Sequence, residues 1–596
     1  MTASKKSSHR DQNFSRGQNY LKLLSVFTLS SLIFFSSSYS LTAKADNPPR
    51  KILTGWLPYY GMKTALPSAV QNSDLIRDVS PFWYTVKDEN TITDLYTPAN
   101  PSVPISVPIA TLQSMNFTII PTITDGTNKG VLAAVLAKDS ARANLVRALV
   151  NLSMTNSYNG IDLDFENFAF VDGNTTWTTT APNWVRFISE LSTALHLQGK
   201  VLSVTTPVAF DPASGKKGYY VYDWPHIAQF IDRLRIMSYD YSTTTPGPIG
   251  PITWTEDAIK WAVASMPASK VFVGIAGYGR DWVTKVDGTC PVDVAAIVKT
   301  SAKAATFVMR DATNLAASYG ATPTFNETYG ESTFNYQKIY NGNTASGLAT
   351  TCTASRTVWY QDQKSFALRA SLVAKYRLGG LAQWTLGMED PLATSAIRDL
   401  AKTIAPDSVV ATLVTDVDSQ SYGRSIAVTG TLKLPDGRAL AGIPARIEVK
   451  NGAQDWRPAF VANTAQDGTI FAKLLLGNNS QLRISSDASW ERLAGLSQLK
   501  NIAIGHLISW SAPTSMKLGS TYFITGSLQP KTAGSTVTLL INGLPDPINT
   551  TTSDSSGNFK FSYTPSAKGV IKIAISSGAD ATFGQSMTDS LSVLIR

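Results

Sequence analysis

An eight-stranded (β/α)8 TIM barrel, an α/β fold, with a small insertion between strands 7 and 8 and two all-β immunoglobulin-like sandwiches behind it, is the architecture this sequence predicts. Three observations predict it. Short apolar, β-rich runs begin near Ile52, Val79, Thr118, Gly160, Val201, Leu234, Val271 and Gly379, with helix-period segments in several of the gaps. After Ala405-Pro406-Asp407 helical periodicity stops, and short strands with Gly/Asp/Ser turns run to the end. Within that half, residues 422–432 recur as residues 518–528, an offset of 96.

The first seven runs are 27 to 42 residues apart, room for one helix and two loops each. Helices are expected over 131–152 and 182–197, the second opening with Pro182 at its first position. Strand–helix alternation implies parallel strands, and eight of them imply closure. The last interval is 108 residues, so a surplus of about 283–357 reads as the insertion. The barrel is assigned to 50–404. In the repeat, each copy continues into a turn and strand, Asp467-Gly468-Thr469-Ile470-Phe471 and Ser556-Gly557-Asn558-Phe559-Lys560. Two sandwiches are therefore assigned, to 407–500 and 503–596.

The N-terminus carries Lys5, Lys6, Arg10, Arg16 and Lys22, an apolar stretch over 23–35, and Ala43-Lys44-Ala45. This pattern predicts a secretory signal peptide over 1–45, cleaved after Ala45, and a secreted or cell-surface protein with no stable membrane span after cleavage. An uncleaved anchor is the alternative. Of the formal charge of +9, +5 lies in residues 1–45. The remaining near-balance of 46 basic and 42 acidic residues argues against nucleic acid as a partner. Cys290 and Cys352, the only cysteines, read as one disulfide in an exported chain, with two buried thiols as the alternative. The four histidines are scattered, so no metal is expected, nor any cofactor. A monomer is expected.

The most informative stretch is Asn159-Gly160-Ile161-Asp162-Leu163-Asp164-Phe165-Glu166. Read as a strand, it alternates faces, so Asp162, Asp164 and Glu166 share one side and Ile161, Leu163 and Phe165 the other. Carboxylates in file repel one another and resist desolvation, and one response is to hold a proton among them. A carboxyl kept protonated near neutral pH is what cleavage of a glycosidic bond needs. The alternative is a solvated edge strand with acidic teeth.

The stretch resembles Asp-x-x-Asp-x-Asp-x-Glu, the signature of glycoside hydrolase family 18, the chitinase family, with Asn159 in place of the first Asp. Met237-Ser238-Tyr239-Asp240 is similar to the family's Met-x-Tyr-Asp, and Gly379-Gly380-Leu381-Ala382-Gln383-Trp384 to its last strand. The resemblance covers roughly residues 50 to 400. It implies substrate-assisted catalysis with retention, in which the substrate's 2-acetamido oxygen is the nucleophile. Glu166 would be the acid and later the base. Asp164 would orient the acetamido N–H and share a proton with Asp162. Tyr239 would donate to the acetamido oxygen. Asp240 would bind sugar or hold the geometry of the catalytic acid, Met237 would line the pocket, and Trp384 would floor it. Arg280 and Trp282, in a stretch similar to the family's strand 7, are candidate rim contacts; Tyr59 and Tyr84 are candidates at the mouths of strands 1 and 2. The insertion, with Phe325, Tyr329, Phe334, Tyr336 and Tyr340, would form one wall of the cleft. Asn159 removes one negative charge and would alter the pH dependence.

The implied partner is an N-acetylglucosamine-containing polysaccharide, and the implied reaction is hydrolysis of its β-1,4 bonds. Chitin or chitooligosaccharides come first. Peptidoglycan is the alternative, since Asn167-Phe168 after Glu166 looks more like bacterial cell-wall-acting members. A non-hydrolytic, chitin-binding lectin of the same fold is a third possibility, opposed by the presence of Glu166.

Overall fold

The computed structural model describes residues 48–596. The leader expected over 1–45 lies outside the described residues. Eight parallel strands, β1 (Leu53–Pro58), β2 (Ile76–Val86), β3 (Thr122–Asp125), β4 (Gly160–Asp164), β5 (Val201–Pro207), β6 (Arg233–Met237), β7 (Val271–Ala276) and β8 (Gly380–Trp384), pair in sequence order. β1 closes the barrel by pairing with both neighbours, Leu53 beside Leu381 on one side and Ile76 on the other. Outward residues such as Ile161, Leu163, Leu234 and Ile236 pack under the helices in one large core. Inward positions are largely polar, which leaves the interior free for chemistry.

The helices differ from the expectation in detail. The segment over 131–152 is two helices, Val131–Ala137 and Asp139–Thr155, broken where Lys138 is extended. Pro182 lies inside Trp177–His196 instead of opening it. The Trp177 indole donates to the Ala169 carbonyl, and that tertiary contact starts the helix before the proline.

Between β7 and β8 stands a five-stranded antiparallel sheet whose first strand is Tyr278–Gly288 and whose longest pair is Glu331–Asn343 with Ala349–Tyr360. It is wider than the expected 283–357, because only Gly277 separates it from β7. Cys290 and Cys352 are bonded and pack with Val283, Val298 and Ala354.

The C-terminal half holds two copies of one topology, each a three-stranded sheet facing a six-stranded one with the same strand order. The repeated segments form equivalent strands, Ser425–Lys433 and Tyr522–Gln529, at the centre of each smaller sheet. Each copy has its own core, around Val428, Ile447 and Ile484 in the first and around Ile524, Leu539 and Ile575 in the second. Strict alternation of buried and less buried residues along Ser425–Lys433 is what a two-layer sandwich imposes. The first copy meets the barrel where β1 and β8 begin: Arg50 lies over the Trp490 ring at 3.9 Å, and Arg377 pairs with Glu491 at 2.9 Å. This is the end opposite the strand termini that carry Asp164 and Trp384.

With a separate core in each copy, the chain from Asp407 onward, expressed alone, is expected to show a β-sheet circular-dichroism spectrum and cooperative thermal unfolding. A fragment without a cooperative transition would contradict independent folding.

Candidate active site

The site stands at the C-terminal ends of the barrel strands, in a cleft of about 1140 Å³. β4 supplies its acids. Asp162 and Asp164 point inward, as the alternation requires. The strand ends at Asp164, so Glu166 sits in a turn and its carbonyl accepts from Ala169 and Phe170 of the short helix Asn167–Phe170. Asn167 fixes this turn by donating to the Asp125 and Thr127 carbonyls at 3.0 and 2.7 Å. From outside, the Tyr222 hydroxyl donates to the Phe165 carbonyl at 2.7 Å.

The acids have different surroundings. Asp162 is fully buried beneath the cleft and takes no part in its lining. Its oxygens accept from Thr122 (2.7 Å), Ser203 (2.6 Å), Thr205 (3.1 Å) and the Trp56 indole (3.3 Å), with Arg235 at 3.4 Å. Asp164 lines the cleft, is nearly buried, and leaves Oδ1 with no hydrogen-bond partner. Burial pushes its carboxyl well above the usual carboxylate range, with the charges of Glu166 and Asp162 and a hydrogen bond to Glu166 adding to the rise. Glu166 is also raised, first by burial and then by Asp240 and Asp125, while its bond with Asp164 works the other way. Glu166 and Asp162 thus both act on Asp164, while the Asp162 oxygens have donors on four other strands.

Gly274 makes room for Tyr239: a Cβ there would stand 2.9 Å from the phenol ring and 2.4 Å from the Ile236 carbonyl. Burial and the nearby acids hold the Tyr239 hydroxyl well above its ordinary pKa, so it is a neutral donor. Met237, Asp240 and Trp384 also line the cleft. Trp384 is held edge-on by Phe82 and Trp56, at centroid distances of 5.0 and 5.7 Å. Asp240 adopts positive φ and accepts from Tyr278 and Arg280. Among the described residues no group of His, Cys, Asp and Glu is arranged to hold a metal ion.

Four expected contacts lie elsewhere. Tyr84 is buried and shares a 2.7 Å hydrogen bond with Tyr158, because an irregularity between Phe82 and Tyr84 breaks the strand's alternation; Phe82 takes the cleft position. Tyr59 packs on the outer core where the chain turns after Pro58, and Trp56 lines the cleft. Trp282, on the strand Tyr278–Gly288, is buried with Ile249, Ala276 and Ala304 in a cluster against which Tyr239 and Trp384 also pack. Arg280 reaches Asp240 rather than the cleft. Asn159 sits before β4, at the far end of the barrel, where its side-chain oxygen accepts from the Ile119 N–H at 2.8 Å. It therefore cannot set the charge of the cleft.

The inserted sheet is not the expected wall: of its residues only Tyr278 lines the cleft. Phe334 and Tyr336 are buried in the core. The wall is built by loops after β4, β5 and β6, with Phe170 and Trp177 around Tyr219 (4.7 and 5.7 Å) and Tyr241 against Trp254 (5.2 Å). Lys216 and Lys217 stand on the same loop as Tyr219 and line the cleft. No periodic pattern marks these loop residues, and Asp125, whose charge acts on Glu166, carried no motif. Buried Glu331 of the insertion instead accepts from the Ile249 and Gly250 N–H groups and from Arg369 and so clamps the loop that bears Asp240.

Residues 41–389 match the family Glycosyl hydrolases family 18. Among curated proteins, Bacillus subtilis YdhD, whose name describes a sporulation-specific glycosylase, is 27% identical over 285 residues, covering 47% of this chain and 60% of that protein. The cortical fragment-lytic enzyme of Bacillus subtilis is 24% identical over 287 residues, covering 47% and 59%. The matches thus span about 60% of the length of these relatives. Among solved structures, a chitinase from Chromobacterium violaceum is 27% identical, with 59% of this chain and 98% of that one aligned at a TM-score of 0.47.

A carboxyl whose pKa is raised on folding binds its proton more tightly in the native than in the unfolded state. Its contribution to stability therefore falls as pH rises from the unfolded value through the folded one. Glu166→Gln removes that penalty. Its Tm is expected to match the wild type near pH 4 and to exceed it by about 2 °C or more at pH 8. Equal melting curves at both pH values would contradict the raised pair.

Proposed function

The chain belongs to glycosyl hydrolase family 18, and from that premise we propose that it hydrolyses β-1,4 bonds of N-acetylglucosamine-containing glycans with retention, by substrate-assisted catalysis. The observation that carries this reading is the unpartnered Oδ1 of Asp164, buried beside Glu166 in a cleft with an aromatic floor. A buried acceptor without a donor is costly unless a ligand supplies one. An acetamido N–H at the sugar's 2-position is such a donor.

In this reading Glu166 gives its proton to the glycosidic oxygen as that bond breaks. The acetamido carbonyl oxygen attacks C1 from the opposite face and closes an oxazolinium ring. Asp164 holds the acetamido N–H and balances the positive charge, while the Tyr239 hydroxyl donates to the acetamido oxygen. Glu166, now a carboxylate, takes a proton from water, which opens the ring and restores the original configuration. Trp384 lies under the sugar, and Asp240, held by Tyr278 and Arg280, borders it. Chitin and chitooligosaccharides are the simplest substrates. Lys217 at the cleft favours a second reading, a peptidoglycan N-acetylglucosaminidase, because it offers a cation to a glycan bearing carboxylates, whereas the neighbouring Lys216 is already paired with Asp257; a relative named as a cortical fragment-lytic enzyme supports it. Either substrate lies outside the cell, in keeping with the leader expected from the sequence.

Parallel digestion of N-acetylchitohexaose and purified peptidoglycan, with mass analysis of the products, separates the two substrates. Glu166→Gln is expected to lower kcat by about 10²-fold or more on whichever is cut, with sugar binding retained. Fully deacetylated oligomers are expected to resist cleavage, and equal rates on acetylated and deacetylated chains would refute substrate assistance.

A further inference from the structure

The turn that follows β8 is tied down by a buried carboxyl that the proposed chemistry does not use. It leads from Trp384 into the helix Pro391–Thr403, which Asp390 caps by accepting from the Leu392 N–H at 2.8 Å. Gln383 alternates with Trp384 on β8 and so points away from the cleft, where it is buried. Glu389 is buried as well, and its two oxygens are shared out. One accepts from the Gln383 amide and the other from the Ser68 hydroxyl of the helix Met62–Gln71, both at 2.5 Å. The Gln383 amide also reaches the Thr385 carbonyl at 3.3 Å, and its oxygen has no partner, so Glu389 and that carbonyl alone hold the side chain. The turn itself is closely packed. The Trp384 carbonyl accepts from the Gly277 N–H at 2.7 Å, and the Leu386 N–H donates to the Trp56 carbonyl at 3.1 Å. Gly387 has positive φ, and a Cβ there would stand 2.5 Å from the backbone of Thr64, on the helix that carries Ser68.

We propose that Glu389 is a positioning residue for the aromatic floor: through Gln383 and Ser68 it fixes the turn after β8, and with it the height of the Trp384 ring under the reacting sugar. This rests on the reading of Trp384 as that floor. Phe82 and Trp56 meet the ring edge-on from within the barrel, whereas Glu389 acts on the chain that carries it. Ser68 is buried with Ala65 and Ala69 on one helix, so the trio stands in a layer where apolar contact is the rule. Hydrogen bonds there are directional and tolerate one arrangement, which apolar contact does not enforce. Removing the Glu389 carboxyl leaves a buried amide and a buried hydroxyl without a shared partner. An amide in its place serves as well, because its oxygen accepts from Gln383 while its NH2 donates to the Ser68 hydroxyl oxygen.

The test is a double-mutant cycle in the full chain, read as kcat/KM on N-acetylchitohexaose or on the peptidoglycan fragment that is cut. Glu389→Ala is expected to lower kcat/KM by about tenfold or more, the scale on which a misplaced substrate-positioning group acts. Glu389→Gln is expected to stay within about threefold of the wild type, since it keeps both hydrogen bonds. In a Trp384→Ala background, Glu389→Ala is expected to cost less than about twofold, because the ring it positions is gone. A residue that only supported the fold would lower activity by the same factor with or without that ring. Equal factors in the two backgrounds, or a Glu389→Gln variant as impaired as Glu389→Ala, overturn the inference. If Glu389→Ala does not fold, Ser68→Ala, which removes one of the two donors, takes its place in the cycle with the same two outcomes. A wild type that cuts neither glycan, or a Trp384→Ala variant as active as the wild type, rejects the reading of the site instead, so the two failures are distinguishable.

Discussion

The constraint on which the rest of the site depends is burial of polar groups inside the barrel. Asp78, Arg233, Arg235 and Asp162 are buried where water cannot solvate them, and they pair with one another. Asp164 and Glu166 are further acids in the same dry place. Two carboxyls so close and so poorly solvated hold a proton between them. Burial is the first cause of the rise in both, and neighbouring acids add to it.

Layering turns this electrostatic arrangement into a cleft. Period-two alternation puts each strand's polar residues inside and its branched apolar residues under the helices. Successive inward positions then build levels: Arg235 with Asp78 and Ser80, above them Asp162 beside Trp56, and at the mouth Asp164 with Met237, Phe82 and Trp384. The loops after β4 to β6 add the aromatic wall. The inserted sheet reaches this site indirectly, through Tyr278 and Arg280 on Asp240 and through Glu331 on the loop behind it. The first sandwich attaches at the opposite end of the barrel from the cleft, by Trp490 on Arg50.

Much of this was legible from the residues. Strand positions followed from apolar runs at regular spacing, and the two sandwiches from a repeat that survives as the same strand order in both copies. Asp164, Glu166, Met237, Tyr239, Asp240 and Trp384 were found through local motifs, and all line one cleft. What failed was orientation beyond regular strands. Tyr84 was expected at the mouth of strand 2, but the pairing of β2 is irregular there and Tyr84 is buried against Tyr158. Tyr59 and Trp282 lie just past strand ends or on a strand leaving the barrel, where periodicity gives no direction. Asp162 was placed on the correct face, yet its partners come from strands 40 or more residues away, so its donors could not be read locally. Arg235 carried no motif at all; its partners Asp78, Ser80 and Asp162 lie on other strands.

The central claim is that the buried Asp164–Glu166 pair, raised by burial, holds a proton. A neutron crystal structure of the deuterium-exchanged protein near pH 6 locates it directly. The account predicts a deuteron on Asp164 or Glu166. A deuteron bound to Asp162, with Asp164 and Glu166 both bare, would contradict it.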